Sequence, residues 1–384
     1  MFFQKKQIHF RYLKWTVIVL LAAALIGSLQ LLHGGGKHMG NRPVLAAKHR
    51  IAAKQHSIPD EVYIRRPAVL SPKTALGGRK VDHKLFKGIK SIDFTFGVLP
   101  DTQFYSRSHP DIFKKMNLWF VKNKQALNLQ YIFHLGDIVN NFDQPYQWKT
   151  ADRSMRILDQ AMLPYGIITG NHDVGYAADY RPFYRYFSES RYRWNPWYGG
   201  SYKNNKGHFD LVDVDGKKYI MVAMGWGISG DEVAWMNDVL RLYSDRTAIL
   251  YVHDYLNGQA QRTLQGQMLF NRVVRPNPNV KIVMNGHCYG AARKIDAIDD
   301  NLDGKPDRKV MQILSDYQSV KGGQGYIRVI GFDLKHDKVY VRTFSPQVGR
   351  THAFKKNHDN FAFRFDIDSS RGKSVVQKTH QKKH

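Results

Sequence analysis

Tyr131-Ile132-Phe133-His134-Leu135-Gly136-Asp137-Ile138-Val139-Asn140 sets an apolar run directly against a glycine and a carboxylate. A short, nearly continuous apolar run closed by a turn residue is the pattern of a strand buried on both faces. The Gly-Asp pair then places an oxygen ligand where the strand stops.

The arrangement recurs. Ile92–Pro100, Tyr165–Thr169, Ala248–Val252 and Val280–Met284 read as buried strands, and each is followed within a few residues by a polar group: Asp101, Asn171-His172-Asp173, His253 and His287. Between them Ile112–Val121, Met155–Met162 and Val233–Leu242 carry helical apolar spacing. Strands alternating with helices imply an α/β core, and in such sheets ligands bind at the carboxyl ends of strands. Beyond Met311, Gln312–Leu314, Tyr326–Leu334 and Lys338–Phe344 are expected to pair as antiparallel strands around Lys335-His336-Asp337.

Carboxylates, an amide oxygen and imidazoles together suit Zn, Mn, Fe or a similar ion, one or two in number, whereas an all-oxygen cage suits Ca or Mg. The motifs Asp101-Thr102-Gln103, Gly136-Asp137-Ile138-Val139-Asn140, Gly170-Asn171-His172-Asp173, the lone His253 and Gly286-His287-Cys288-Tyr289 follow one another in the order found in the calcineurin-like metallophosphoesterase superfamily, which the chain resembles.

That resemblance implies a four-layer αββα sandwich of two mixed sheets over residues 91–368, with the metal cluster at one edge. It implies that Asp137 bridges two metals and that Asn171, His253 and His287 complete the first site. The second would use Asp101, Asp137 and two positions where the family carries histidines, here Gln103 and Tyr289. Gln103 would ligate through its amide oxygen, a neutral and weaker donor than imidazole, and Tyr289 would either ligate as phenolate or hydrogen-bond a substrate oxygen. The second site is therefore expected to be filled weakly or transiently, or to be empty. The implied reaction is in-line hydrolysis of a phosphomonoester or phosphodiester by metal-activated water. His172 is expected to protonate the leaving group, with Asp173 holding its imidazole.

Other residues divide between packing and function. His134 is expected to be a satisfied strand residue, His208 and His336 surface or turn residues, and Cys288 buried filler turned away from the metals. Tyr180, Phe183, Tyr184 and Phe187 fall at helical spacing and read as a core face, leaving Arg193, Trp194, Trp197 and Tyr198 as a candidate substrate wall. Asp299, Asn301, Asp303 and Asp307 match part of a calcium loop, but Val310 stands where the bidentate Glu belongs; a solvated Asp-Gly turn is the alternative.

The formal net charge of +26 lies mostly in the flanks: residues 1–92 hold 17 Lys/Arg against Asp60, Glu61 and Asp82, and residues 369–384 hold five against no acid. A nearly balanced centre disfavours a nucleic-acid track; basic flanks suit an anionic membrane or wall polymer, or are simply solvated. Residues 1–14 are basic, and Trp15–Leu32 would span about 27 Å as a helix, which reads as a signal anchor, or a signal peptide if cleaved. Either would put the enzyme outside the cytoplasmic membrane, anchored or secreted. Residues 33–90 read as a basic flexible spacer and 369–384 as a disordered tail. A single cysteine, Cys288, excludes an internal disulfide. The alternative function is a binding protein for a phosphate-rich wall polymer or lipid.

Overall fold

The computed structural model describes residues 80–89, 91–354 and 356–364. The basic leader, the apolar run 15–32, spacer residues 33–79 and the tail 369–384 lie outside them. Among the described residues no helix is long and apolar enough to cross a membrane.

Along the chain run β1 (Phe94–Leu99), α1 (Gln103–Ser108), α2 (Pro110–Asn123), β2 (Leu129–His134), α3 (Pro145–Gln160), β3 (Tyr165–Ile167), α4 (Arg181–Phe187), β4 (Tyr198–Tyr202), β5 (Gly207–Val214) and β6 (Lys217–Met224). Then follow α5 (Gly230–Leu242), β7 (Thr247–Val252), α6 (Leu264–Leu269), β8 (Val280–Asn285), β9 (Gly290–Ile298), β10 (Arg308–Asp316), β11 (Ile327–Asp333), β12 (Lys338–Phe344) and β13 (Phe361–Arg364). Two mixed sheets result, with strand orders β13-β12-β11-β1-β2-β3 and β4-β5-β6-β7-β8-β10-β9.

Strand alternation sorts the core into layers. Phe94, Phe96, Tyr131 and Phe133 of one sheet meet Tyr219, Ile249, Tyr251 and Ile282 of the other. Each such buried ring or branched side chain contributes about 1.5–3 kcal/mol. On the outer faces, Phe113, Met116 and Phe120 of α2 and Trp148 of α3 cover the first sheet, while Val233, Met236 and Val239 of α5 cover the second. The order is helix, sheet, sheet, helix, as expected. Pro110 at the first turn starts α2 without losing a helical hydrogen bond, and the Glu232 carboxylate, reaching back to the Ser229 amide at 2.9 Å, starts α5.

Two expectations are corrected. Strands β11 and β12 do pair antiparallel across Lys335-His336-Asp337, but the segment containing Gln312–Leu314 joins the other sheet, parallel to β8 and antiparallel to β9; with Ile313 in the inter-sheet layer and Leu314 under α5, it is an interior strand. Residues 80–89, read as spacer, are part of the structure. Val81 and Asp82 donate their amides to Ile92 and Ala126 carbonyls (2.9 Å each), and Phe86 is buried against the first sheet's outer cluster. The aromatic helix face stands as read: Tyr180, Phe183 and Phe187 are buried and Tyr184 packs beside them.

Candidate metal centre

Strands β1, β2 and β3 run parallel in one sheet, and β6, β7, β8 and β10 in the other. Their carboxyl ends carry Asp101, Asp137 and Asn171 from the first sheet, His253 and His287 from the second.

Asp137 lies at the centre. The chain turns sharply beneath it, with Gly136 at φ 95° and Asp137 itself at φ 48° in the left-handed region, which a short polar side chain tolerates. One carboxylate oxygen, Oδ1, accepts the His172 amide at 3.1 Å and lies 3.2 Å from His253 Nε2. That same Nε2 is 3.2 Å from Asn171 Oδ1, while His253 Nδ1 donates to the Leu135 carbonyl at 2.8 Å. The backbone bond fixes the tautomer and aims Nε2 at the cluster. Ligand atoms of Asp137, His253 and His287 all fall within 4.8 Å of one another.

Two glycines make this approach feasible. A Cβ on Gly136 would sit 2.6 Å from His253 Nδ1, and one on Gly170 would sit 2.0 Å from Asp137 Oδ1. A Cβ at Gly170 would also meet the Asp137 amide nitrogen at 2.6 Å. Gly170→Ala is therefore expected to push Asp137 out of place and weaken Mn²⁺ or Zn²⁺ binding by about tenfold or more by calorimetry, with circular dichroism to register any loss of fold; unchanged affinity would contradict the geometry.

The local field is negative. Burial works to raise the Asp137 pKa, but His253 outweighs it and holds it below the usual carboxylate range. Burial opposes charge on His253 as well, yet Asp137 and Asp101 raise it to about 10. A proton here occupies a position suited to a metal ion. Burial and His253 lower His287, consistent with a neutral imidazole. Burial raises Asp101 well above the carboxylate range, and Asp316 adds to it. Asp101 Oδ2 accepts the His287 amide at 3.0 Å, whereas Asp101 Oδ1 and Gln103 Oε1 are buried without a hydrogen-bond partner. Unpaired buried oxygens beside a negative field fit a divalent cation.

The remaining candidates fall elsewhere or act differently. Asp173 does not hold His172. Its carboxylate turns under the turn after β2 and accepts the amides of Ile138 (3.0 Å), Val139 (2.9 Å) and Gly170 (2.7 Å), while burial and Asp137 press its pKa up to about 7. His172 Nδ1 instead meets the Asn140 carbonyl at 2.9 Å. His134 is buried and bonded to Thr102 Oγ1 at 3.0 Å, a strand residue as read. His208 is not a surface residue: it lies in β5, buried, 2.6 Å from the Tyr251 hydroxyl, because the β5–β6 hairpin is part of the sheet.

Trp197 and Tyr198 are corrected from substrate wall to packing, both being buried in the core clusters. Arg193 and Trp194 keep an exposed face, the guanidinium 4.9 Å over an indole 73% exposed. Cys288 packs against the second sheet's outer core as filler but is only half-buried, and its sulfur is grouped with Asp254 and His287. Tyr289 is 59% exposed, and burial together with Asp316 and Asp101 raises its pKa, which disfavours phenolate. In the β9–β10 loop, Asp299 accepts the amides of Leu302 and Gly304 (2.7 Å each), and Asp307 that of Asp300 (2.8 Å), so these carboxylates are engaged with the loop's own backbone.

Two residues at the centre escape a reading by motif. Trp226 sets its indole tilted against the His287 ring at 5.3 Å and edge-on to that of His253 at 5.9 Å; it follows β6, a strand whose apolar run Tyr219–Met224 was the available signal. Asp316 closes β10, fully buried, and burial raises it to about 7. It too is a carboxylate ending an apolar run.

The calcineurin-like phosphoesterase profile matches residues 94–288. YvnB of Bacillus subtilis (strain 168) is 47% identical over 280 residues, covering 71% of this chain and 22% of its own length, so the chain spans about a fifth of that relative. Among solved structures, the purple acid phosphatase PPD1 from yellow lupin (Lupinus luteus) seeds aligns with a TM-score of 0.49 at 12% identity, over 72% of this chain and 54% of its own. GAP50, the anchor in the inner membrane complex of Plasmodium, aligns at 0.44 and 14% identity over 73% and 93%.

Proposed function

The chain belongs to the calcineurin-like phosphoesterase family, and from that premise we propose that it hydrolyses a phosphomonoester or phosphodiester outside the cytoplasmic membrane, using the cluster around Asp137. The observation that carries this reading is the convergence of Asp137, His253 and His287 ligand atoms within 4.8 Å, with Asn171 Oδ1 bonded to the same imidazole. Asp137, Asn171, His253 and His287 would hold one ion, and Asp101, Gln103 and Asp137 would contribute to a second. When bound, such ions acidify a water and neutralise phosphoryl oxygens.

The chain's own groups supply the rest. His172 is tied at both its backbone and its ring: its amide to Asp137, its Nδ1 to the Asn140 carbonyl. A carbonyl only accepts, so Nδ1 carries a proton, and in the doubly protonated ring Nε2 carries the one available to a departing alkoxide. Asp173 fixes the two turns that bear Asp137 and Asn171 through its three amide bonds. Trp226 walls the histidines and limits water at that side. The extracytoplasmic location rests on the basic leader and the apolar run 15–32, and the basic flanks would hold the enzyme near an anionic membrane or wall surface.

Purified protein assayed with p-nitrophenyl phosphate and bis(p-nitrophenyl) phosphate across Mn, Zn, Fe and Ca tests the reading. Turnover of either ester that disappears with chelator is expected. Absence of turnover with every metal, or turnover indifferent to chelator, would contradict it.

A further inference from the structure

The second metal site has lost both histidines of the family pattern, at Gln103 and Tyr289, yet a carboxylate from another strand stands beside the place of the second. We propose that Asp316 is a ligand of this site, completing with Asp101, Gln103 and Asp137 an all-oxygen cage that selects hard ions. The proposal rests on the metal-dependent hydrolase reading and extends it to which residues, and which class of ion, make the second site.

Strand order brings Asp316 there. β10 runs parallel to β8 with Leu314 opposite Asn285, so Asp316 and His287 both lie two residues farther on at the same edge. On its other side β10 pairs antiparallel with β9, and Asp316 is level with Gly290, the residue after Tyr289. The backbone of Asp316 is thus flanked by both ends of the segment 287–290, where the motif's second histidine would stand. Asp101 closes the group: its Oδ2 takes the His287 amide, and a Cβ on Gly286 would lie 2.1 Å from its Oδ1.

The oxygens are left open. Asp316 Oδ1 accepts the Gln318 amide at 3.0 Å, but its Oδ2 is buried with no partner, as are Asp101 Oδ1 and Gln103 Oε1. Asp316 is 0% exposed and Asp101 3%. Among neighbouring charges Asp316 acts most strongly on Asp101, ahead of His253 and Asp137, and His253, the cation that offsets both, is already engaged with Asp137. Two buried carboxylates that repel each other and share the single His253 charge with Asp137 are costly. A divalent cation between them removes the repulsion and satisfies the open oxygens.

The donor set also changes the chemistry. The first site keeps two imidazoles and suits Zn, Mn or Fe, whereas carboxylate and amide oxygens alone favour Mn²⁺, Mg²⁺ or Ca²⁺ over Zn²⁺. Exposed Tyr289 is not needed.

The full chain is dialysed against Mn²⁺ and its metal content measured by mass spectrometry, with stepwise affinities from calorimetry. Wild type and Tyr289→Phe are expected to hold two ions per chain and Asp316→Ala one. Asp316→Asn, which keeps the side chain's shape, should weaken the second ion by about tenfold or more while leaving the first unchanged. Metal-free Asp316→Asn should melt no lower than wild type, since the change removes repulsion. Two ions bound with unchanged affinity in the Asp316 variants, or a single ion in wild type, would overturn the assignment. No ion in wild type would overturn the hydrolase reading with it.

Discussion

Asp137→Ala is expected to empty the centre and reduce turnover by more than the roughly 100-fold that losing an outer partner of a metal ligand costs. Asp137 is engaged with both halves of the cluster: it lies 3.2 Å from His253 Nε2, accepts the His172 amide, and sits directly against Gly170. Its removal leaves His253 without the charge that chiefly stabilises a cation there. Metal analysis and kcat on the same preparation check this. An Asp137→Ala protein that retained both metal and turnover would show that the cluster is not the reactive centre.

His172→Ala should behave differently. The His172 ring is hydrogen-bonded to the Asn140 carbonyl and not to the residues placed around the ions, so metal content is expected to stay near the wild-type level. kcat should fall by about 10²–10⁴-fold, the usual contribution of a positioned general acid. The loss should be smaller for an ester whose leaving group needs no proton, such as a nitrophenolate, than for an alkyl ester. Equal losses on both would assign His172 to holding phosphoryl oxygens rather than to proton transfer, and an unchanged kcat on both would remove it from the reaction.

Much of this centre was legible because parallel strands buried on both faces are written as short apolar runs, and the ligands follow immediately. Asp101, Asp137, Asn171, His253 and His287 could each be found by that rule alone. The second sheet's antiparallel half was harder. Strand β4 is Tyr-Gly-Gly-Ser-Tyr, with little apolar content, yet the hairpin of β5 and β6 carried a usable signal in Asp215-Gly216, both with positive φ; missing it put His208 on the surface.

Asp173 illustrates a different limit. Adjacent residues in a tight turn point different ways, and the three amides left open by the turns at Gly136 and Gly170 claimed its carboxylate before the neighbouring imidazole could. Asp316 depended on topology: nothing in its local sequence says that β10 would be inserted between β8 and β9, which is what carries it beside the segment 287–290.

The central claim is that turnover belongs to metal held at Asp137, Asn171, His253 and His287. The most direct measurement strips the protein with chelator, titrates Mn²⁺ back, and follows hydrolysis of a chromogenic ester alongside bound metal. The account predicts no turnover without metal and recovery that rises with occupancy. Turnover in the stripped protein, or full occupancy with no hydrolysis of either ester class, would contradict it.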